Sequence, residues 1–526
     1  MVIIEIIIVF WKNICEVFVM FMKIGKYRLV LVVIILSFLT RGFFLATVFP
    51  IFKGQDESRH YNTVQYLAGA DKCERTLKNK EEFDLYLKNE QKKDDLSTYR
   101  YSEEIKATAK NSQSTVIRGK YYEKFLFTDD LDGMGEREFK KRSFSKRQAV
   151  CPPDLATNFL AKDHLGIYHR AMAKVEQLLG QQNIFVRYYA LRFLSVVLGC
   201  FILLFFYLMF REVGFSEKIS LLLTAIVSFQ PGFDIYLTNI NYDVFLIFFW
   251  AIFIWEGLRV VKYGWSLKRI LFLLIVGFLG ILTKPTALAL IPVFVYLLIQ
   301  TWFTRASVKK LGKGWILPVS AIVLFGVGLT FFVSGKIGFD IKKNFSSLFL
   351  YLSKSLPKID GSSRSYWGLI GWGQSNISLY FVWLIWLLEW LAWGGLLVFA
   401  RLVLTKQKFS GKLNLVKDYA KAKWKIFLFL LVTILSLQVT VRWADWRVFV
   451  YGGKLLLGTP GRYWLPNMAV HFALLALGWQ TVLLLLSQNK SEAKKWLEIF
   501  LLGLFFLLAV YWSYEVFAVI IPRFYF

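Results

Sequence analysis

Residues 219–258 read ISLLLTAIVSFQPGFDIYLTNINYDVFLIFFWAIFIWEGL. Two apolar runs, 219–237 and 243–258, flank a short polar hinge, Thr238-Asn239-Ile240-Asn241-Tyr242. Apolar runs of this length separated by a few polar residues are the signature of helices that cross a bilayer and turn back. Outward from this stretch the same weave recurs at 28–49, 187–210, 266–283, 286–303, 315–334, 377–400, 426–441, 463–487 and 497–521. The chain of 526 residues is 56% hydrophobic and has a mean hydropathy of +0.48, more than a soluble globular domain normally carries. The fold class expected is an all-α polytopic membrane protein of about 11 transmembrane helices. Two spans, 243–258 and 426–441, are short for a bilayer, and helices that stop early usually border a water-filled recess.

The formal charge of +28 suggests nucleic acid until its distribution is considered. Arg259, Lys262, Lys268 and Arg269 share one loop, and Arg305, Lys309, Lys310 and Lys313 share another. Segment 401–425 carries eight Lys/Arg against the single Asp418, and Lys490, Lys494 and Lys495 precede the last span. These loops alternate with less basic ones, as the positive-inside rule requires, so the charge is topological and no nucleic-acid partner is expected. The assignment places the N-terminus in the cytoplasm of a plasma-membrane protein.

Residues 1–26 are expected to form an interfacial amphipathic helix, because Glu5, Lys12, Glu16 and Lys23 stack on one stripe opposite a wide apolar face. The first transmembrane helix occupies 27–52. Residues 53–186 form the one large hydrophilic block, with 24 Lys/Arg against 21 Asp/Glu, a near balance that sets it apart from the basic loops. It is expected to be an extracytoplasmic loop domain with an insertion at 71–150 that lacks apolar periodicity. From Pro152 onward apolar residues return at helical spacing. Residues 187–526 then make a transmembrane bundle of about ten helices. Cys73 and Cys151 flank the insertion on the face where a disulfide can persist, whereas Cys15 and Cys200 sit in apolar runs as packing residues.

Polar residues gather at the less basic ends of the spans. Directly after the first comes Phe52-Lys53-Gly54-Gln55-Asp56-Glu57-Ser58-Arg59-His60-Tyr61. On a helix Asp56 and His60 share a face and Glu57 is turned about 100° away, so one carboxylate can face a cavity while the other braces the structure. A solvated helix start would explain the same residues. The hinge supplies Asn241 and Asp243, which can equally cap a helix. Lys284 lies in the tight turn Thr283-Lys284-Pro285, and a lysine that deep needs a cavity or a partner anion. Arg187 and Arg192 open the second span, and Arg442, Asp445, Arg447 and Arg462 surround the outer end of the tenth. Such arginines either grip a phosphate bidentately or anchor a helix. Tyr366-Trp367-Gly368-Leu369-Ile370-Gly371-Trp372-Gly373 adds aromatics that an interfacial belt would explain and whose faces also suit sugar rings or an isoprenoid tail, with glycines that imply close backbone approach or a tight turn.

Taken in order, Asp56-Glu57-Ser58-Arg59-His60, Leu191-Arg192-Phe193-Leu194-Ser195, Asn241-Tyr242-Asp243, Lys284, Tyr366-Trp367-Gly368-Leu369-Ile370-Gly371-Trp372 and Gly461-Arg462-Tyr463-Trp464-Leu465-Pro466 resemble the GT-C superfamily of membrane glycosyltransferases. The likeness is greatest to an uncharacterised bacterial multipass family within it. The resemblance implies a GT-C-like bundle with a large first extracytoplasmic loop. It implies inverting transfer of a sugar from a polyprenyl-phosphate donor in the membrane lipid to a glycan, lipid or protein acceptor. By analogy Asp56 is the general base, and Glu57 orients it or contributes to a metal site. His60, Arg192, Asn241, Asp243, Lys284, Trp367, Trp372 and Arg462 are expected to bind substrate, with Lys284, Arg192 and Arg462 neutralising the departing phosphate. Some relatives use a divalent cation, but no clear carboxylate cluster marks a metal site here. One departure is Asp163-His164-Leu165-Gly166, where such families often carry a His-Pro-Pro type of motif. The rival readings are a transporter or flippase of a lipid-linked saccharide and a non-catalytic scaffold. Few ionisable residues lie mid-span, Glu389 being the clearest, which favours a site at one membrane face over alternating access.

Overall fold

The computed structural model describes residues 27–49, 51–52, 54, 56–68, 75–76, 150–151, 166–304, 341–355, 365–367, 379–405, 411–452 and 461–522. The expected interfacial helix at 1–26, the expected span at 315–334, Cys73, Trp372 and the stretch Asp163-His164-Leu165 fall outside these residues. Seven described helices are long and apolar enough to cross a bilayer, or eight if one bent pair counts as a single span. The all-α polytopic class is therefore seen directly.

Helix α1 (Arg28–Val48) is followed by the short α2 (Glu57–Ala68). Two-residue strands β1 (Arg75–Thr76) and β2 (Val150–Cys151) pair in parallel, so the chain leaves and re-enters the described structure at one place. Helix α3 (Ile167–Leu178) packs on α2, and α4 (Ile184–Val213) packs on α1. The Asn183 side chain caps α4 by accepting from the Val186 N–H at 3.0 Å.

The span expected at 219–237 is two helices, α5 (Glu217–Ser228) and α6 (Pro231–Leu237), bent by 64° at the break. Pro231 lacks the N–H that would continue the ladder, and the Gln230 side chain restarts it by accepting from the Phe233 N–H at 2.5 Å. Helix α7 (Asp243–Tyr263) and α8 (Leu267–Thr283) follow, then a 3-10 turn, Pro285–Ala289, and α9 (Leu290–Thr304). Beyond these lie α10 (Ile341–Ser355), α11 (Leu379–Leu404) and α12 (Lys412–Gly452). A second 3-10 turn, Gly461–Asn467, leads into α13 (Met468–Leu486) and α14 (Lys490–Tyr514), which ends in a π-helical turn, Glu515–Ile520.

The expectation that 243–258 and 426–441 are short spans is overturned. Helix α7 runs 21 residues and α12 runs 41. Hydropathy marks only the apolar middle of a helix, and both continue through polar ends.

Inside a bilayer, burying leucine against leucine gains little, so close backbone approach has to hold helices together. Helices α11 and α13 meet this way: a Cβ on Gly395 would lie 2.2 Å from the Gly478 carbonyl oxygen, and one on Gly478 would lie 2.1 Å from that of Ala392. Leu29, Val33 and Leu36 of α1, Trp383, Leu387, Trp390 and Leu397 of α11, and Phe506 and Val510 of α14 point outward. Such faces belong against lipid.

Candidate active site

The site is assembled from helix ends that share one end of the bundle: the end of α1, the starts of α4, α7 and α13, and the turn after α8. Its foundation is an ion pair. Arg192 is fully buried near the start of α4 and grips Glu57 with two N–H groups, at 2.8 and 2.7 Å. The same guanidinium donates to the carbonyls of Ala46 (2.8 Å) and Phe49 (2.5 Å) at the end of α1. Glu57 also accepts from the N–H groups of Gly54 (3.1 Å) and Ile240 (3.0 Å). This network satisfies both buried charges and locks four segments together, which is the arrangement a buried pair needs.

Asp56 is placed differently. Helix α2 starts at Glu57, and Asp56 precedes it with φ +58°, as Phe52 does with φ +61°. Left-handed backbone is uncommon outside glycine, though aspartate tolerates it best, and such conformations gather at functional sites. The helical-face argument that paired Asp56 with His60 therefore does not apply. The turn instead presents the Asp56 carboxylate to Arg462, which donates to Oδ2 at 2.7 Å across 406 residues of chain. The Asp56 side chain is 18% exposed and that of Glu57 is fully buried. Of the two adjacent carboxylates, only Asp56 is open to solvent.

A second ion pair adjoins the first. Lys284, at the end of α8, donates to Asp243 Oδ1 at 2.5 Å. Its ammonium lies 4.6 Å from the centre of the Tyr242 ring and 4.5 Å from that of Tyr463. Burial alone would lower the Lys284 pKa, but the Asp243 carboxylate and the two tyrosines outweigh it, so the pKa is raised and the amine stays charged. Arg462 Nε and Asp243 Oδ2 are buried and have no hydrogen-bond partner among the described residues. Unsatisfied buried groups are rare and cost about 1–3 kcal/mol each. Both belong to the two ion pairs, where an incoming anion or hydroxyl would find them.

Several of the expected substrate contacts have partners within the protein. Arg192 was expected to face a phosphate, and its guanidinium is spent on Glu57 and two carbonyls. Glu57, expected in the catalytic group, is sealed from any cavity. His60 is 1% exposed and stacks on His169, with their ring nitrogens 3.0 Å apart and the Tyr242 ring edge-on at 4.5 Å. Asn241 is buried and its Oδ1 accepts from the Asp243 N–H at 2.9 Å, just ahead of α7. Arg187 pairs with Glu176. Trp367 is buried against Phe472 and borders a cavity beside the 461–467 turn.

Sequence reasoning passed over His169, Tyr242 and Tyr463, and also Arg41, which pairs inside the bundle with Asp234 at 2.5 Å. An arginine within an apolar span was the available signal for Arg41. Nothing local distinguishes the tyrosines. Glycines were read as close-approach positions in 368–373. Among the described residues that role falls to Gly461, where a Cβ would lie 2.0 Å from the Tyr366 backbone nitrogen. The Gly461 N–H donates to Ser365 Oγ at 2.9 Å, joining segment 365–367 to the turn that carries Arg462.

Asp56 and Asp243 each hold a cationic partner, and among the described residues no three His, Cys, Asp or Glu side chains converge on one point.

Neither the curated proteins nor the solved structures give a match to the chain. Residues 153–340 match the family model described as dolichyl-phosphate-mannose-protein mannosyltransferase. The match covers well under half of the chain but spans α3 to α9, and so includes Arg192, Asp243 and Lys284. Asp56 and Arg462 lie outside it. A helical membrane bundle in which residues 153–340 are similar to this mannosyltransferase family fits the resemblance to the GT-C superfamily of membrane glycosyltransferases.

Proposed function

We propose that the protein transfers a sugar from a polyprenyl-phosphate donor to an acceptor hydroxyl, with inversion, on the extracytoplasmic face of the plasma membrane. The observation that carries this reading is the meeting of Asp56 and Arg462, with Lys284 and Asp243 beside them, at one end of the bundle. An acid and two cations are what the reaction needs at one place. The acceptor oxygen attacks the anomeric carbon as its proton passes to Asp56. The bond from that carbon to the phosphate oxygen breaks, and the electron pair leaves with polyprenyl phosphate.

The Asp56–Arg462 pair has a consequence for timing. The Asp56 carboxylate oxygen that Arg462 holds is freed to take up a proton when Arg462 turns to another anion. The donor phosphate is that anion. Its arrival satisfies Arg462 Nε, loosens Asp56 and places Lys284 near the charge that develops on the leaving group. Glu57 and Arg192 then act as positioning residues that hold the left-handed turn at Asp56.

The test is transfer from a labelled polyprenyl-phosphate-mannose in proteoliposomes. Asp56→Asn should lower the rate by about 10²–10⁴, the span usual for a general base, while the melting temperature holds. Undiminished transfer would remove Asp56 from that role. The flippase reading draws on the broken α5–α6 span, a feature of transporters. It would be favoured if the protein moved the labelled donor between leaflets without forming product.

A further inference from the structure

The 461–467 turn has two sides. Arg462 and Tyr463 face the ion pairs, whereas Trp464 and Asn467 border a cavity of about 320 Å³ that the mechanism leaves unused. Its other lining includes Tyr366, Trp367, Glu389, Trp393, Gln438 and His471. The volume is at the lower end for ligand pockets, which run from about 300 to 1,000 Å³.

Glu389 lies on α11 about 15 Å along the axis from Leu379, at 1.5 Å rise per residue. A carboxylate at that depth in a span is costly and usually marks a site. Glu389 Oε1 lies 3.4 Å from His471 Nε2, and His471 Nδ1 lies 3.2 Å from the Tyr366 hydroxyl. A chain of donors and acceptors thus runs along one wall. Gln438, half-buried on α12, makes no hydrogen bond to another described residue. The remaining wall is aromatic, from Trp367, Trp393 and Trp464.

Three occupants can be compared on chemistry. An isoprenoid tail would leave Glu389, Gln438 and His471 unsolvated. A phosphate would face the Glu389 carboxylate, with Arg442 the one Lys or Arg among the described lining residues. An uncharged hydroxylated ring suits both walls, since its C–H face stacks on indole and its hydroxyls meet the glutamate, amide and imidazole.

We infer that this cavity is a subsite for a neutral pyranose ring of a substrate glycan. That identification rests on the transferase reading, because the reaction supplies such rings on the donor, the acceptor or both.

The experiment uses the full chain in lipid nanodiscs, titrated with methyl α- and β-glycosides of mannose, glucose and galactose and followed by saturation-transfer NMR. At least one glycoside should bind to wild type and equally to Asp56→Asn. Trp393→Leu and Glu389→Gln should each weaken it about tenfold, a loss of one good stacking face or charged hydrogen bond, with melting temperatures within a few degrees of wild type. If Trp393→Leu fails to fold, Glu389→Gln alone decides, being isosteric. Competition by polyprenyl-phosphate-mannose would assign the ring to the donor. Turnover of the glycoside as acceptor without such competition would assign it to the acceptor. The inference is overturned if no glycoside binds, if both variants bind as wild type does, or if a short-chain prenyl phosphate occupies the cavity in their place. Loss of glycoside binding with Asp56-dependent transfer intact would sink the subsite alone. Binding without any transfer would sink the transferase reading alone.

Discussion

Glu57 and Asp56 are neighbours in the chain with opposite fates. Glu57 is fully buried and meets four N–H groups, two from Arg192 and one each from Gly54 and Ile240, whereas Asp56 is partly exposed and faces Arg462. Truncating one member of a buried pair leaves an uncompensated charge, at a cost of about 3–5 kcal/mol. Arg192→Met is therefore expected to lower the melting temperature in detergent sharply, and Glu57→Leu with Arg192→Met to recover part of the loss. A double variant no more stable than the single would show that the pair is not the cause. Lys284 gives a pH expectation. Its folded pKa is raised above the ordinary 10.5, so its charge, and the stability of its pair with Asp243, persist below 10.5 and fade only as pH climbs through the higher folded value. The alkaline limb of the transfer rate should then be unchanged in Lys284→Arg. A limb that moves would implicate Lys284 deprotonation.

At the scale of elements, the bundle depends on where backbones touch. A Cβ at Gly478 would strike the Ala392 carbonyl of α11, and backbone cannot swing aside as a side chain can. Gly478→Ala is expected to destabilise by at least the ~1–3 kcal/mol of ordinary overpacking. Gly503→Ala on α14, where a Cβ would meet nothing within 4 Å, should leave the melting temperature unchanged or slightly higher. Equal effects at the two glycines would contradict the packing argument. The elements themselves were largely legible. Arg28–Val48, Ile184–Val213 and Lys490–Tyr514 fall where the apolar runs predicted them, because hydropathy is a local property. Gln230-Pro231 carries the bend openly. The 41 residues of α12 were not legible, since its ends are polar and amphipathic.

For the whole molecule, orientation in the bilayer is the remaining expectation. Position 57 would be a poor reporter, being buried and paired. Gln181, exposed in the loop between α3 and α4, and Lys268, exposed in the first turn of α8, lie at opposite ends of the bundle. In a background without native cysteines, Gln181→Cys should react with an impermeant thiol reagent from outside and Lys268→Cys should not. The reverse pattern would put the Asp56 cluster in the cytoplasm.

Composition and hydropathy alone determined that this chain is a helical membrane bundle with its odd polar residues at one set of helix ends. Both are properties of short windows, readable without knowing which helices are neighbours. Which of those residues pair with one another, and which are fully buried, was decided only by tertiary structure. A charge at a span end looks the same in sequence whether its partner is a ligand or another helix. Arg192 and Arg462 differ because α2 delivers Glu57 to one and the left-handed turn before it delivers Asp56 to the other.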